Sequence, residues 1–399
     1  MWGEAQFSVY LLGGYLGLLT ALWGGLVHGV AGWGRRWQLS RPPLDGDVRG
    51  SDLMVSICIP ARNESHNIGD CVRAALAVDW PDLEIVVVDD RSTDGTAAAA
   101  QAAAQDDERV HIVAGTEPPS GWAGKPWAVA RAAGEARGQV LAFVDADVRL
   151  APESLRALVP TMIERDARLI SAYGTWTLVS FWERALIPTI GWLIRGAIDL
   201  DAVNDPGNPA AFANGQLILV ERQTYDGFDG HAVVKDQILE DVRLAEQFKR
   251  RGHGAAMVVA PWAFSVRLYE NFGQILNGYT KNLYEGMGRR PSLALGAVLF
   301  IVVGALLPWL MVAAGVFARL VWGWAIPGPT WLVWAGLVCS LQVVFRYRLE
   351  LRDGRSGAIC WVHPLSNVVL VWLLLRSMFG VEAEWKGRKF MDGRAAPSA

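Results

Sequence analysis

Charged side chains are scarce in this 399-residue chain: Asp, Glu, Lys and Arg make up 19% of it, against 52% hydrophobic residues. They are also unevenly spread. Residues 5–34, 291–317, 320–345 and 356–375 carry none of the four, which argues against an ordinary solvated surface there, because roughly 20 such residues suffice to span hydrocarbon. Nor is either sign of charge in marked excess. The formal net charge is −3, so the balance gives no basic surface for nucleic acid, and no nucleic-acid partner is expected. The four cysteines, Cys58, Cys71, Cys339 and Cys360, form no Cys-x-x-Cys pair and the histidines are not clustered; zinc is disfavoured and buried free thiols are expected. His66, His111 and His253 read as isolated surface or structural residues.

The first uncharged run also lacks a basic segment ahead of it, with only Glu4 preceding, so it is expected to stay as an anchor rather than be cleaved as a signal peptide. Arg35, Arg36 and Arg41 come closely after it. The positive-inside rule then places the segment beyond them in the cytoplasm, giving a multi-pass inner-membrane protein with a cytoplasmic catalytic domain. The two central runs read as a helical hairpin with a turn at residues 326–330. Arg289 and Arg290 precede it, and Arg346, Arg348, Arg352 and Arg355 come after it on the same side. A simple crossing by 356–375 would put Arg376, Lys386, Arg388 and Lys389 outside, against that rule. Three spans are therefore expected, and His363-Pro364 leaves the fourth run open as a broken, re-entrant or interfacial segment. Glu183, Arg184 and Arg195 make residues 181–200 an interfacial helix rather than a span. Trp309, Trp322 and Trp331 suit interfacial belts. The expected division is an anchor at 1–40, a linker at 41–53, a catalytic domain at 54–265, an amphipathic connector at 266–290, a transmembrane region at 291–381 and a basic tail at 382–399.

Between the apolar runs, strand-like and helix-like patterns alternate. Strands are predicted at 54–60, 84–88, 110–113, 140–144, 169–173, 215–221 and 255–259, with helices at 67–78, 96–105, 126–136 and 152–164, where Asn67 is a cap and Pro152 sits in a first turn. This alternation implies an α/β fold with a mostly parallel sheet and right-handed crossovers. Residues 140–144 form a short apolar run ending in Asp145 and Asp147, where α/β sheets place ligands. That spacing suits sharing a divalent cation with a substrate phosphate, since Mg²⁺ takes only one or two protein carboxylates. Two more acidic sites stand at element ends: Asp89-Asp90 after a strand, and Glu240-Asp241 at the start of an amphipathic helix.

Taken together, Ile59-Pro-Ala-Arg-Asn-Glu64, Val88-Asp-Asp-Arg-Ser-Thr-Asp-Gly95, Gly124-Lys-Pro-Trp-Ala128, Val144-Asp-Ala-Asp147 and Leu239-Glu-Asp-Val-Arg-Leu244 resemble a membrane-anchored family 2 glycosyltransferase with the GT-A fold, over about residues 54–260. Val266-Arg-Leu-Tyr269, Gly278-Tyr-Thr-Lys-Asn282, His363-Pro-Leu and Trp385-Lys-Gly-Arg388 are similar to the bacterial branch that includes carotenoid-acid and hopanoid-associated glycosyltransferases. The resemblance implies that Pro60, Glu64, Asp89, Asp90, Lys125 and Asp145 contact a nucleotide-sugar donor, expected to be UDP-linked. It also implies that Asp147, with Asp145 as partner, holds Mg²⁺ or Mn²⁺, and that Asp241, beside Glu240, is the base. Such a base is chemically required for a hydroxyl acceptor, which is a poor nucleophile until it loses its proton. Single displacement by this route inverts the anomeric centre.

The Gln-x-x-Arg-Trp motif of processive polysaccharide synthases is absent. Transfer of one or a few sugars to a membrane lipid such as a carotenoid, hopanoid or glycerolipid is therefore expected. Transfer to polyprenyl phosphate, or a catalytically silent scaffold of the same fold, is the alternative.

Overall fold

The structure is a computed structural model that describes residues 2–30, 32–322 and 330–380, together with three short strands, Ala383–Trp385, Arg388–Met391 and Arg394–Ala395. The expected turn at residues 326–329, and Lys386 of the expected tail, lie outside the described residues. The chain gathers into two compact units: residues 1–35, 179–196 and 270–381 form one, and residues 36–178, 197–269 and 382–399 the other.

The second unit is built on a seven-stranded mixed sheet. In chain order the strands of this unit's two main sheets are β1 (Val55–Ala61), β2 (Leu83–Asp89), β3 (Val110–Ala114), β4 (Val140–Val144), β5 (Val148–Leu150), β6 (Ala167–Tyr173), β7 (Thr175–Trp176), β8 (Leu217–Glu221), β9 (Gly254–Val259) and β10 (Phe264–Val266). The large sheet runs β3-β2-β1-β4-β8-β6-β9, while β5, β10 and β7 make a second, small sheet. β4 is the middle strand, and all five of its residues are buried. Parallel pairing holds from β3 to β4 and between β6 and β9, as alternating strands and helices predict, whereas β8 runs antiparallel to both of its neighbours. β5, β7 and β10 escape sequence prediction because two or three residues are too few to show a period.

Side chains alternate between the two faces with period two. Val55, Ile57, Ile59, Ile85, Val87, Val140 and Ala142 enter one core cluster, under the helices Ile68–Leu76, Thr96–Ala104 and Ser154–Glu164. Cys58, Val86, Val88, Leu141 and Phe143 enter the other, with Ala128, Val129 and Ala132 of the helix Gly124–Glu135 and Leu244, Ala245 and Phe248 of the helix Glu240–Arg250. Lys125 and the Glu240-Asp241 pair thus sit on helices of the same face. The sequence places Pro152 in a first helical turn, but that helix begins at Ser154.

In the other unit, four helices are long and apolar enough to cross a membrane among the described residues: Tyr10–Gly29, Pro291–Val321, Thr330–Arg352 and Cys360–Met378. The last meets the length and apolarity of a span that the charge pattern left open. The third runs past Phe345 through Arg352, so Arg346 and Arg348 belong to the helix rather than to its flank. A π-helical stretch, Phe300–Leu306, interrupts the second, and the Trp23 indole donates to the carbonyl of Gly304 within it at 2.9 Å.

The helix Phe181–Gly196 belongs to this unit and buries two of its three charges, Glu183 and Arg195, while Arg184 is exposed. Glu183 accepts from the N–H groups of Val179 (2.8 Å) and Ser180 (3.1 Å), while the Ser180 hydroxyl accepts from the Glu183 N–H, a reciprocal capping box. Pro188 has no N–H to offer the carbonyl four residues back. That carbonyl, Arg184 O, instead accepts from the buried Arg346 guanidinium, which also reaches Ala185 O, the Thr189 hydroxyl and, at 2.7 Å, Glu350. Arg195 grips Asp353 with two hydrogen bonds of 3.0 and 2.8 Å. Cys58, Cys71 and Cys339 are buried free thiols, while Cys360 is half-buried.

Gly138, just before β4, has no room for a side chain: a Cβ there would lie 2.7 Å from Ser56 N and 2.8 Å from Met54 O, both backbone atoms. Gly138→Ala is therefore expected to destabilise the sheet by about 1–3 kcal/mol. A thermal melt of the purified protein reads this directly, and an unchanged Tm would contradict it.

Candidate active site

β1, β2 and β4 run parallel, so their carboxyl ends share one edge of the sheet, where antiparallel β8 begins: Val144 pairs with Leu217. A cleft at this edge is lined by Pro60, Lys125, Asp145, Gly215, Glu240 and Asp241, with His231 beside them. Five of the residues expected in the site, from four separate stretches of sequence, therefore meet in one place.

Lys125 joins them. Its Nζ lies 2.7 Å from Asp145 Oδ1 and 2.9 Å from Glu240 Oε1. Desolvation favours the neutral amine, but the carboxylates of Asp145, Glu240 and Asp241 outweigh it and hold the ammonium charged, its pKa well above the ordinary lysine value. Asp241 has the opposite fate. Burial, reinforced by the Glu240 carboxylate, pushes its pKa up to about 6 against the pull of Lys125 and of two backbone N–H groups. Those donors are Gly215 N to Oδ2 and Val242 N to Oδ1, both at 2.8 Å. A carboxylate held by N–H groups yet titrating near neutrality is suited to accept a proton. A Cβ at Gly215 would stand 2.8 Å from Asp241 Oδ2, so a larger residue there would push that carboxylate aside.

His231 was not anticipated, since nothing in its spacing marks it. It is buried, 2.7 Å from the Tyr225 hydroxyl and edge-on to Phe143. Burial and then Lys125 drive its pKa down to about 3, so it stays neutral at ordinary pH. Gly215 was missed as well: it reads only as the first residue of the strand predicted at 215–221.

The other expected residues lie outside the cleft lining. Asp89 Oδ1 accepts from Ser92 N at 3.2 Å, and buried Asp90 faces Arg91 Nε at 3.2 Å. The loops after β1 and β2 are knotted together, since Asn63 N donates to Ser92 Oγ and Thr93 N to Asn63 Oδ1, both at 2.9 Å. Asp94 accepts from Ser65 N and from Thr96. Although burial opposes it, these bonds hold the Asp94 pKa down at about 2. Glu64 is buried and accepts from Asn67 Nδ2 at 2.9 Å, so Asn67 occupies the expected cap position without capping through its side chain. Asp147 lies near Tyr269, whose phenol is pushed up by burial and by that carboxylate.

Among the described residues no group of three or more His, Cys, Asp or Glu is gathered to hold a metal ion. Asp145 and Asp147 offer carboxylate oxygen alone. This donor set fits Mg²⁺ or Mn²⁺, which complete their shells with phosphate oxygens and water, and the Lys125 ammonium on Asp145 marks the position as one that accepts positive charge.

Residues 56–192 match the family described as "Glycosyl transferase family 2". The chain is 24% identical over 365 residues to the 4,4'-diaponeurosporenoate glycosyltransferase of Staphylococcus aureus (strain MRSA252), covering 89% of this chain and 92% of that one. Among solved structures, a mannosyltransferase from Pyrobaculum calidifontis in complex with GDP-Man and Mn²⁺ is 19% identical with a TM-score of 0.49, covering 83% of this chain and 98% of that one. Glucosyl-3-phosphoglycerate synthase from Mycobacterium tuberculosis, in complex with Mn²⁺ and UDP-Glc, is 19% identical with a TM-score of 0.40, covering 63% and 86%. Residues 56–192 therefore carry a glycosyltransferase family 2 domain, and this domain together with the Staphylococcus relative supports a glycosyltransferase.

Proposed function

We propose that this enzyme is an inverting, metal-dependent transferase that moves a sugar from a nucleotide-sugar, UDP-linked in the simplest case, to a lipid presented at the cytoplasmic face of a membrane. The single observation that carries the reading is the convergence of Asp145, Lys125, Glu240 and Asp241 on one cleft. Four membrane-length apolar helices support a lipid acceptor. So does the Staphylococcus relative, whose name gives 4,4'-diaponeurosporenoate as what it glycosylates.

In the mechanism, the acceptor oxygen attacks the anomeric carbon from the face opposite the leaving group. The new C–O bond forms as the bond to the diphosphate oxygen breaks, and the departing nucleoside diphosphate carries the electron pair. Asp241 takes the proton from a hydroxyl acceptor; a carboxylate acceptor needs no base. Lys125, already committed to Asp145 and Glu240, places positive charge beside the developing diphosphate charge. Asp147 and Asp145 would hold a divalent cation, which when bound supplies Lewis-acid stabilisation of the leaving diphosphate. Asp89, Asp90, Pro60 and Glu64 are assigned to the nucleotide side of the donor.

Membranes incubated with sugar nucleotides, Mg²⁺ or Mn²⁺ and extracted lipid are expected to yield a glycolipid. For a hydroxyl acceptor, Asp241→Asn should lower kcat by roughly 10²- to 10⁴-fold with donor binding retained; undiminished turnover would remove Asp241 from its role. Binding of a donor without turnover of any acceptor would favour the scaffold reading.

The rate should depend on pH in one direction. Asp241 works only ionised, so kcat climbs as pH rises through about 6 and is lost below it. Because Lys125 opposes that raised pKa, Lys125→Met should move the acidic limb to higher pH, and a shift downward would contradict the assignment. Chelation should abolish transfer, with Mg²⁺ or Mn²⁺ restoring it. Asp147→Asn should raise the metal concentration needed for half-maximal rate, and an unchanged requirement would argue against Asp147 as a ligand.

A further inference from the structure

The helix Glu240–Arg250 touches the segment between residues 199 and 216 at both of its ends. At its start, Asp241 Oδ2 accepts from Gly215 N at 2.8 Å. Eight residues on, roughly 12 Å along the axis at 1.5 Å per residue, the Lys249 ammonium is directed into a ring of four backbone carbonyls. These are Ala202 O at 3.3 Å, Asp205 O and Asn208 O at 3.0 Å, and Ala210 O at 2.6 Å.

A lysine in the last turn of a helix ordinarily faces solvent and complements the helix dipole. Here three N–H donors are shared among four acceptors close together in sequence, Ala202 in the short helix Leu200–Asn204 and three in the loop that follows it. The loop is rich in turn residues, Asn204-Asp-Pro-Gly-Asn-Pro209, and within it Asp205 O also accepts from Asn208 N at 3.1 Å. Its two flanks are fixed separately: the Asn204 amide pairs with the backbone of Met257 at 2.9 Å on each side, and Asn214 N donates to Ser171 Oγ at 2.8 Å. Among the described residues only Lys249 reaches the stretch from 205 to 210 in this way, and that stretch leads directly to Gly215.

We infer that Lys249 is a positioning residue: by drawing three carbonyls of the loop, with that of Ala202 before it, onto the far end of the helix, it keeps the Gly215 N–H seated on the carboxylate of Asp241. The inference rests on reading Asp241 as the proton acceptor, and it adds a residue remote from the cleft to the machinery that orients it. A compact ammonium suits such a ring better than a planar guanidinium, whose donors point in one plane.

The consequence for acidity has a definite sign. Asp241 is faced by Glu240 on its own helix, by Lys125 from the helix Gly124–Glu135, and by the Gly215 and Val242 N–H groups, with Asp145 and His231 lining the same cleft. Of these, the Gly215 N–H is the donor carried by the segment that follows the loop. Losing it removes a bond to the ionised form and moves the acidic limb of the rate to higher pH.

The test is Lys249→Met in the full-length protein, purified in detergent. Hydrogen exchange of amides 211–217 should accelerate by about tenfold or more while the interior of the helix stays protected. Donor KM should hold, kcat should fall by about tenfold, and the acidic limb should move upward. Lys249→Gln, which keeps two donors, should recover part of each effect, and it carries the same measurements if the methionine variant does not fold. Unchanged exchange at 211–217 overturns the inference, as does faster exchange with kcat and pH profile unaltered. Asp241→Asn is assayed alongside: if that variant keeps full turnover the base assignment falls, and exchange at Gly215 alone then decides whether the clamp exists.

Discussion

One ammonium group shared between two carboxylates holds this site together. Lys125 bridges Asp145 and Glu240, and with Asp241 the cleft contains three carboxylates for one cation. Like charges gathered away from water cannot all remain ionised at no cost, so the shortage of positive charge falls on the member least well compensated. Asp241 has no lysine of its own, and its raised pKa arises from burial first and then from the Glu240 carboxylate that this shortage leaves beside it. The properties of a base thus come from arrangement rather than from any peculiarity of aspartate.

The arrangement depends on the two faces of the sheet. Alternation of side chains sends Leu141 and Phe143 to one face, and the helices that pack there begin with Lys125 and with Glu240 in their first turns. Both starts point to the edge where β4 ends in Asp145. Acidic residues in a first turn are favoured by the helix dipole in any case, so Glu240 and Asp241 serve local structure and the site at once. Antiparallel β8 then delivers Gly215 to the same edge from the opposite direction.

Much of this was legible in the sequence. Uncharged runs marked the long helices, and apolar runs closed by acids marked the strand ends, because burial on both faces leaves a strand little chemical choice. What was hidden had physical reasons. Strands of two or three residues show no period, and a neighbour such as β8 is set by pairing across distant sequence. Gly215 and His231 matter through close approach and burial, which no spacing encodes. Arg346 looked like a flanking charge because its partners, the carbonyls around Pro188, lie more than a hundred residues earlier and carry no side-chain signature.

The place of β8 has a consequence for the order in which the chain can fold. The stretch Val55–Val144 brings β1 to β4 together through short crossovers, whereas β8 joins β4 only after β5, β6, β7 and the helix Phe181–Gly196 have been made. Closing so long an excursion is slow relative to local pairing. During synthesis β4 therefore passes through a period with one edge unpaired, next to the acids of the cleft. The same helix waits longer still, since Arg346, the donor for the carbonyl that Pro188 leaves without one, arrives near the end of the chain. The nascent protein thus carries an open strand edge and an unanswered carbonyl at once, two features that chaperones and membrane-insertion factors are suited to shield until the later segments emerge.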